Sequence, residues 1–276
     1  MRQLSSLALF ILCVGAAVAQ TSFMTDPNAV PGAFAVRDII HPLAPQQITQ
    51  NTDPNTLVGG TSVACQSGGI TTDNHWWRLF DLDDDHGLLN TLTVASLDYG
   101  IETAVGPTQN ITATMYCLDE GLPFELAFLT QVGMNTVAQP DADLEFFNIA
   151  VDGSCDTASQ DLAVDMSTED CLAGEANCLS LFIGMNDLGE SATTYIHADD
   201  CGILDPVDVN VVDFADHHVV YVVNGEADGG TGDGGAGDGG DGDGGGVPSA
   251  TVSGLLLMVL VLLGSSAYFL RRRATS

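Results

Sequence analysis

The residues best suited to chemistry lie close together in NHWWRLFDLDDDHG, which covers residues 74–87. Aromatic rings with a polar edge suit carbohydrate recognition, so Trp76 and Trp77 are one candidate ligand platform. Neighbouring side chains of an extended strand point to opposite faces, so the two rings would not lie side by side. The favoured interpretation is an interior strand, and the platform is its alternative.

Three aspartates of the same run, Asp81, Asp83 and Asp85, occupy alternate positions. Their oxygens are the hard ligands that calcium prefers. An EF-hand loop needs glycine at its sixth position and glutamate at its twelfth, and here these are His86 and Leu92. The pattern therefore excludes an EF-hand and leaves two hypotheses: a calcium site of another kind, or a polar turn that hydrogen-bonds its own backbone.

Arg78 lies between these groups, on the strand face that also carries Trp76 and Phe80. A buried charge without a partner is costly, so the sequence predicts a carboxylate beside it. Glu102, at the end of the following predicted strand, is the expected partner in a structural ion pair. The alternative places Arg78 on an exposed edge.

Catalytic motifs are missing from the chain: it has neither HExxH nor GxSxG. His217 and His218 are adjacent in a predicted strand, so they point to opposite faces and cannot share one metal ion. We therefore expect a protein that is not an enzyme. A secreted hydrolase formed by convergent geometry is the least favoured alternative.

The elements that must position these residues are strands. Short runs rich in Val, Ile, Thr and aromatic residues alternate with Gly, Asp, Asn and Pro, and no stretch of the body sustains a helical period. The runs are Leu57–Cys65, His75–Leu82, Leu92–Glu102, Ile111–Leu118, Phe124–Val132, Leu144–Val151, Leu162–Met166, Leu179–Gly184, Tyr195–His197 and Val219–Val223. About ten strands at this spacing predict an all-β fold, an antiparallel two-sheet sandwich of jelly-roll kind.

Both ends of the chain indicate export. Residues 1–19 have a basic start, a short apolar core and an Ala-Val-Ala cleavage site, as in a signal peptide. Residues 251–270 form an uncharged stretch long enough for a transmembrane helix, followed by Arg271–Arg273, the cluster that stays in the cytoplasm. The predicted topology places the body outside the cytoplasm.

The C-terminal segment, residues 247–276, resembles the tripartite sorting signals of the PEP-CTERM and IPTL-CTERM type. The resemblance rests on Val247-Pro248, a short small and polar spacer, the apolar helix and the SSAYFLRRR end, and it is closer to the IPTL variant. It implies a Gram-negative surface protein whose tail is recognised by a membrane sorting peptidase.

Composition divides the remainder of the chain. Residues 20–46 are expected to be irregular, 47–224 to form the sandwich, and 225–246, rich in glycine and aspartate, to be a flexible linker. A calcium-binding β-roll in the linker would need a large apolar residue in each repeat, and none is present. The formal net charge of −31 repels phosphate backbones, so nucleic-acid binding is excluded.

The body also resembles an uncharacterised β-sandwich module of secreted bacterial proteins. The matching motifs are TDNHWWRLFDL, VASLDYGIE, TATMY, LFIGMNDLGESATTYIHADDCG and HHVVYVVNG, over about residues 48–225. The resemblance implies a fold and an accessory role at the cell surface, and it carries no known activity.

Six cysteines remain once the signal peptide is removed, an even number that predicts disulfides in an oxidising compartment, with 15 possible connectivities. The module retains the positions of Cys65 and Cys201, so the resemblance implies a Cys65–Cys201 disulfide. The other four are then expected to pair among themselves, with Cys171–Cys178 and Cys117–Cys155 as the first hypothesis.

The sequence thus predicts a non-enzymatic, exported cell-surface protein: a disulfide-bonded sandwich on a tether, anchored in the membrane or sorted through residues 251–270. The main alternative is a carbohydrate-binding or calcium-dependent adhesion module. No cofactor is expected apart from calcium in that alternative, and the expected partners are the membrane, a sorting peptidase and a surface polysaccharide.

Overall fold

The computed structural model describes residues 21–37, 46–67, 70–106, 109–169 and 180–227. Within these ranges the regular structure is β-strand and three short 3₁₀ turns. The turns are Leu126–Phe128, Asp199–Cys201 and Val209–Val212. The strands are β1 Ser22–Thr25, β2 Phe34–Val36, β3 Gln46–Ile48, β4 Thr56–Val58, β5 Val63–Ser67, β6 Ile70–Thr71, β7 His75–Phe80, β8 Thr91–Val105, β9 Gln109–Asp119, β10 Leu129–Gln139, β11 Ala142–Asp156, β12 Gln160–Thr168, β13 Ser180–Ile183, β14 Met185–Asn186, β15 Tyr195–Ala198, β16 Ile203–Asp208, β17 His218–Val219 and β18 Tyr221–Ala227.

Two antiparallel sheets dominate the described structure. One has six strands in the order β10-β9-β12-β7-β15-β16, and the other has five, with β11-β8-β18-β3 in a row and β13 also paired to β8. Buried residues of both sheets form one continuous hydrophobic cluster, which includes Trp76, Met115, Leu97 and Tyr221. The architecture is all-β and sandwich-like, because each sheet buries one face against the other.

The chain passes between the two sheets at the β10–β11 connection. Several residues away from this connection, each strand has a register shift, between Gln131 and Gly133 in β10 and between Ala150 and Gly153 in β11. A side chain at Gly133 would place its Cβ 1.8 Å from the carbonyl oxygen of Asp152, so only glycine allows this backbone approach.

The segment 20–46 contains strands, which corrects the expectation that it is irregular. β1 pairs with β5 from Ser22 to Thr25, and β2 pairs with β4. These strands gain their order from partners far along the chain rather than from an apolar pattern of their own. Residues 225–227, which were expected to belong to the linker, instead pair with β8 as the end of β18.

Several sequence predictions lie outside the described residues: the signal peptide 1–19, the linker from residue 228, the sorting signal 247–276 and its helix 251–270. In the ranges that the structure describes, no helix is long and apolar enough to cross a membrane.

Candidate functional site

Strand β7 places its two tryptophans on opposite faces, as the sequence predicts. Trp76 is buried in the core between the sheets, and its Nε1–H donates to the carbonyl of Val63 at 2.6 Å. Trp77 is buried on the outer face under Tyr116 and Phe124, with ring centroids 5.4 and 5.8 Å away. The ligand-platform hypothesis for Trp76 and Trp77 is therefore wrong, because neither ring is accessible to a sugar.

Arg78 is fully buried and pairs with Glu190, which corrects the expected partner. Its NH1 lies 2.5 Å from Glu190 Oε2 and also donates to the carbonyl of Ala192, while Nε and NH2 donate to the carbonyl of Val219. Burial lowers the pKa of Arg78, and Glu190 opposes this effect. These hydrogen bonds hold the loop before β15 against the sheet, so the role of Arg78 is structural.

Glu102 does not contact Arg78, because its neighbour Ile101 points into the core between the sheets and Glu102 therefore lies on the outer face of the five-stranded sheet. Its Oε2 instead accepts from the backbone N–H groups of Thr61 and Ser62, at 3.2 and 3.0 Å, and so holds the connection between β4 and β5. Burial raises the pKa of Glu102 to about 7, and the nearby charge of Asp26 adds to this effect. The pair Arg78–Glu102 is therefore absent, and Glu102 anchors a loop.

The acidic turn after β7 brings together a slightly different set of carboxylates from the predicted one. One oxygen from each of Asp81, Asp83 and Asp84 lies within 4.8 Å of the others, and Asp85 is not part of the group. The N–H of Asp84 donates to the side chains of Asp81 and Asp83, so the turn also hydrogen-bonds its own backbone. Burial raises the pKa of the neighbouring Asp161 to about 6, and Asp81 and Asp83 contribute by charge repulsion.

Two disulfides cross-link the body. Cys65–Cys201 joins β5 to the turn after β15, and Cys117–Cys155 joins β9 to β11, with Cα–Cα distances of 6.0 and 5.7 Å. Both pairings are the expected ones, and both distances are in the ordinary range for a disulfide. The predicted pair Cys171–Cys178 lies outside the described residues.

A pair of histidines sits on the outer face of the six-stranded sheet. His75 Nδ1 lies 2.8 Å from Asp165 Oδ2, and His197 Nε2 lies 3.0 Å from Asp199 Oδ1. The ring centroids of His75 and His197 are 4.7 Å apart. Burial lowers the pKa of His75, but the charge and hydrogen bond of Asp165 outweigh it, and the pKa is raised overall. In both pairs the partner is a carboxylate, rather than a hydroxyl or thiol that could act as a nucleophile.

A pocket opens on the outer face of the five-stranded sheet, with a cavity volume of about 240 Å³, and Pro54 and Val222 supply apolar surface to its lining. Arg37 NH1 lies 2.7 Å from Asp98 Oδ2, and the Arg37 Nε and NH2 groups donate to Asn55 Oδ1. Gln47 and Thr49 complete the polar lining. The pocket thus combines one cation, one anion and three neutral hydrogen-bonding side chains.

Sequence reasoning missed this pocket, because its residues come from separated segments. Arg37 belongs to the segment expected to be irregular, Asn55 to a loop and Asp98 to the middle of β8. One signal was available: Arg37 and Arg78 are the two basic residues between positions 20 and 246, so each was certain to attract acidic partners.

Comparison with known proteins adds no assignment: no protein-family model, no curated protein and no solved structure matches the chain.

Proposed function

We propose that this chain is an exported, non-enzymatic cell-surface protein. Its jelly-roll-like sandwich is a binding module, carried on a flexible tether and anchored or sorted through the C-terminal helix. The observation that carries the proposal is the pair of disulfides, above all Cys65–Cys201, which links residues 136 positions apart. Disulfides of this kind persist in oxidising compartments outside the cytoplasm.

Two features of the sequence agree with this compartment. Residues 1–19 have the pattern of a cleaved signal peptide, and residues 251–270 with Arg271–Arg273 have that of a membrane helix with its basic end inside. The net charge of −31 suits a well-solvated exterior and argues against nucleic acid as a partner.

Cell fractionation with thiol labelling tests the proposal. The full-length chain is expressed in a Gram-negative host, and each fraction is treated with a thiol-alkylating reagent before and after reduction. We expect the protein outside the cytoplasm, beginning at Gln20, with Cys65, Cys117, Cys155 and Cys201 protected until reduction. A chain that stays in the cytoplasm with reactive cysteines would contradict the proposal.

The sorting role of the tail is tested by intact-mass measurement of the surface-associated protein. We expect loss of the C-terminal segment after processing, or retention of residues 251–270 in the membrane. A variant with Arg271–Arg273 replaced by asparagine is the matched comparison, because it removes the charge cluster and keeps the apolar helix. Equal localisation of both proteins would contradict recognition of the cluster.

The second candidate, a calcium-dependent adhesion module, is favoured by the closeness of Asp81, Asp83 and Asp84. Three carboxylates provide part of the oxygen shell that calcium needs. If this candidate is correct, millimolar calcium raises the melting temperature over that in EDTA, and the double change of Asp83 and Asp84 to Asn removes the difference. An identical melting temperature with calcium and with EDTA excludes it.

A further inference from the structure

We propose that the pocket around Arg37 and Asp98 binds one ring of a neutral carbohydrate. This inference rests on the proposed function of a surface binding module and names its ligand class. Trp76 and Trp77, the alternative ligand platform, are buried, so a different surface must bind any sugar.

The pocket lies on a rigid part of the fold. Along β8, Leu97 and Tyr99 point into the core between the sheets, so Asp98 points to the opposite, outer face. Val222 of the neighbouring strand β18 is the cross-strand partner of Asp98 and forms the apolar part of the floor. A binding site on paired strands is held more precisely than one on loops alone.

The polar side chains are fixed before any ligand arrives. Asp98 is 4% exposed and accepts from Arg37 and, through its other oxygen, from Asn148 at 2.6 Å. The guanidinium of Arg37 also stands over the ring of Phe146, 5.1 Å from its centroid. Groups that are already ordered lose little conformational entropy on binding, which favours affinity for a small ligand.

The charge balance selects a neutral ligand. Arg37 and Asp98 compensate each other, and Gln47, Thr49 and Asn55 carry no charge. An anion would compete with Asp98 for the guanidinium and would meet the field of a chain with net charge −31. A cation would be repelled by Arg37. Gln47 Nε2 and Thr49 Oγ1 already donate to Asn224 Oδ1 and to the carbonyl of Tyr221. Gln47 Oε1 can still accept and Asn55 Nδ2 can still donate, which suits a sugar, because its hydroxyls both donate and accept hydrogen bonds.

The size of the cavity limits how much of a glycan enters. Its volume of about 240 Å³ is below the ~300–1,000 Å³ of pockets that hold drug-sized ligands. We therefore expect a single sugar ring, at the end or on a branch of a chain, with a dissociation constant roughly in the millimolar range.

Ligand-observed NMR on the purified full-length mature protein tests the inference. The probes are glucose, galactose, mannose, fucose and N-acetylglucosamine, with glucuronate and inorganic phosphate as the anionic arm. We expect at least one neutral sugar to bind and the anions not to bind. The inference would be overturned if no neutral sugar binds, or if only the anions bind.

Variants locate the binding. Asp98→Asn should weaken it by about tenfold or more, because the amide no longer neutralises Arg37 and has only one oxygen to accept from Arg37 and Asn148. Asp152→Asn makes the same charge change at an exposed position of β11 and should leave binding unchanged. Asn55→Ala, in a half-buried loop, is the second pocket variant, and its affinity for the sugar should be several-fold lower than that of the wild type. Equal binding by the pocket variants and Asp152→Asn would overturn the inference.

The same samples separate this site from the function on which it rests. A protein that is exported with protected cysteines but binds no sugar contradicts the pocket alone. A protein that stays in the cytoplasm with free thiols contradicts the proposed function, whatever the NMR result.

Discussion

Arg78 illustrates what one residue can and cannot reveal. Its type, and its place beside Trp76 and Phe80, predict a buried cation that needs a carboxylate, and the structure buries it completely. The identity of the partner depends on how a loop more than a hundred positions later returns to the sheet, and Glu190 belongs to that loop. A local sequence pattern does not predict which distant loop packs beside Arg78. The prediction of Glu102 as the partner was therefore wrong.

Loss of the Arg78 cation should be strongly destabilising. We expect Arg78→Leu to lower the free energy of unfolding by about 3–5 kcal/mol, because Glu190 loses its arginine partner and keeps only Thr194 and His218, while the carbonyls of Ala192 and Val219 lose their donor. Urea denaturation measures the change. Adding Glu190→Gln to that variant should recover part of the loss, whereas a change of under about 1 kcal/mol for Arg78→Leu alone would contradict the structural role.

Glu102 should make the stability of the protein depend on pH. Its pKa rises from an ordinary 4.5 to about 7 in the folded state, so the native protein binds more protons between these values. The free energy of unfolding should therefore fall as pH rises through this window, by on the order of 3 kcal/mol from this group.

The comparison of wild type with Glu102→Gln isolates that effect, because all other titrating groups are shared. We expect the stability difference between the two proteins to shift in favour of Glu102→Gln as the pH rises from 4.5 to 8. Denaturation curves at several pH values measure it, and a constant difference across this range would count against a raised pKa at Glu102.

At the scale of elements, the strands with strong apolar patterns were predictable and the exposed or very short ones were not. β7, β9 and β12 lie where their β-rich runs predict them. The predicted run at Phe124–Val132 is replaced by a 3₁₀ turn and by β10, which starts at Leu129. Much of β10 is exposed and polar, so its pairing with β9, rather than its own sequence, determines its extent.

The two disulfides should contribute differently to stability. In the chain-entropy model, a cross-link over a separation of 136 residues stabilises the fold by about 5 kcal/mol, and one over 38 residues by about 4 kcal/mol. We expect the double serine variant of Cys65–Cys201 to lose more stability than that of Cys117–Cys155. Urea denaturation of both, beside the wild type, gives the order, and the reverse order would contradict the loop-closure explanation.

The contact between β8 and the residue after β13 should tolerate only glycine. A Cβ on Gly184 would lie 2.7 Å from the backbone of Gly100, whose carbonyl accepts from the Gly184 N–H. We expect Gly184→Ala to cost about 1–3 kcal/mol in thermal or urea unfolding, since backbone atoms must move. Gly153→Ala is the comparison, because its nearest neighbour is a methyl group of Val132 at 3.2 Å, which can shift more easily. Equal costs would contradict the backbone clash.

At the scale of the whole molecule, the sequence predicts the charge of the chain but no part of the pocket. The net charge of −31 follows from composition alone, whereas the pocket requires the association of residues 37, 55 and 98. Such an association depends on long-range strand pairing, which a single sequence does not encode in any local pattern.

The same charge should make stability depend on salt. Repulsion among the acidic side chains destabilises the compact state, and about 1 M salt shortens the screening length to ~3 Å. We expect the melting temperature to rise by several degrees between 20 mM and 1 M NaCl. Sodium chloride is chosen because sulfate would also stabilise by exclusion from the surface. A melting temperature that falls or stays constant would contradict net repulsion as a factor in stability.

The position of β18 has a mechanical consequence. β18 ends at Ala227 and lies between β8 and β3 in the five-stranded sheet. A pulling force applied at Ala227 would therefore act on an interior strand, where hydrogen bonds on both sides resist extraction together. The pocket is formed on β8 and β18 themselves, through Asp98 and Val222. Under the proposed function, a force between a bound ligand and the tether would therefore act directly on these two strands.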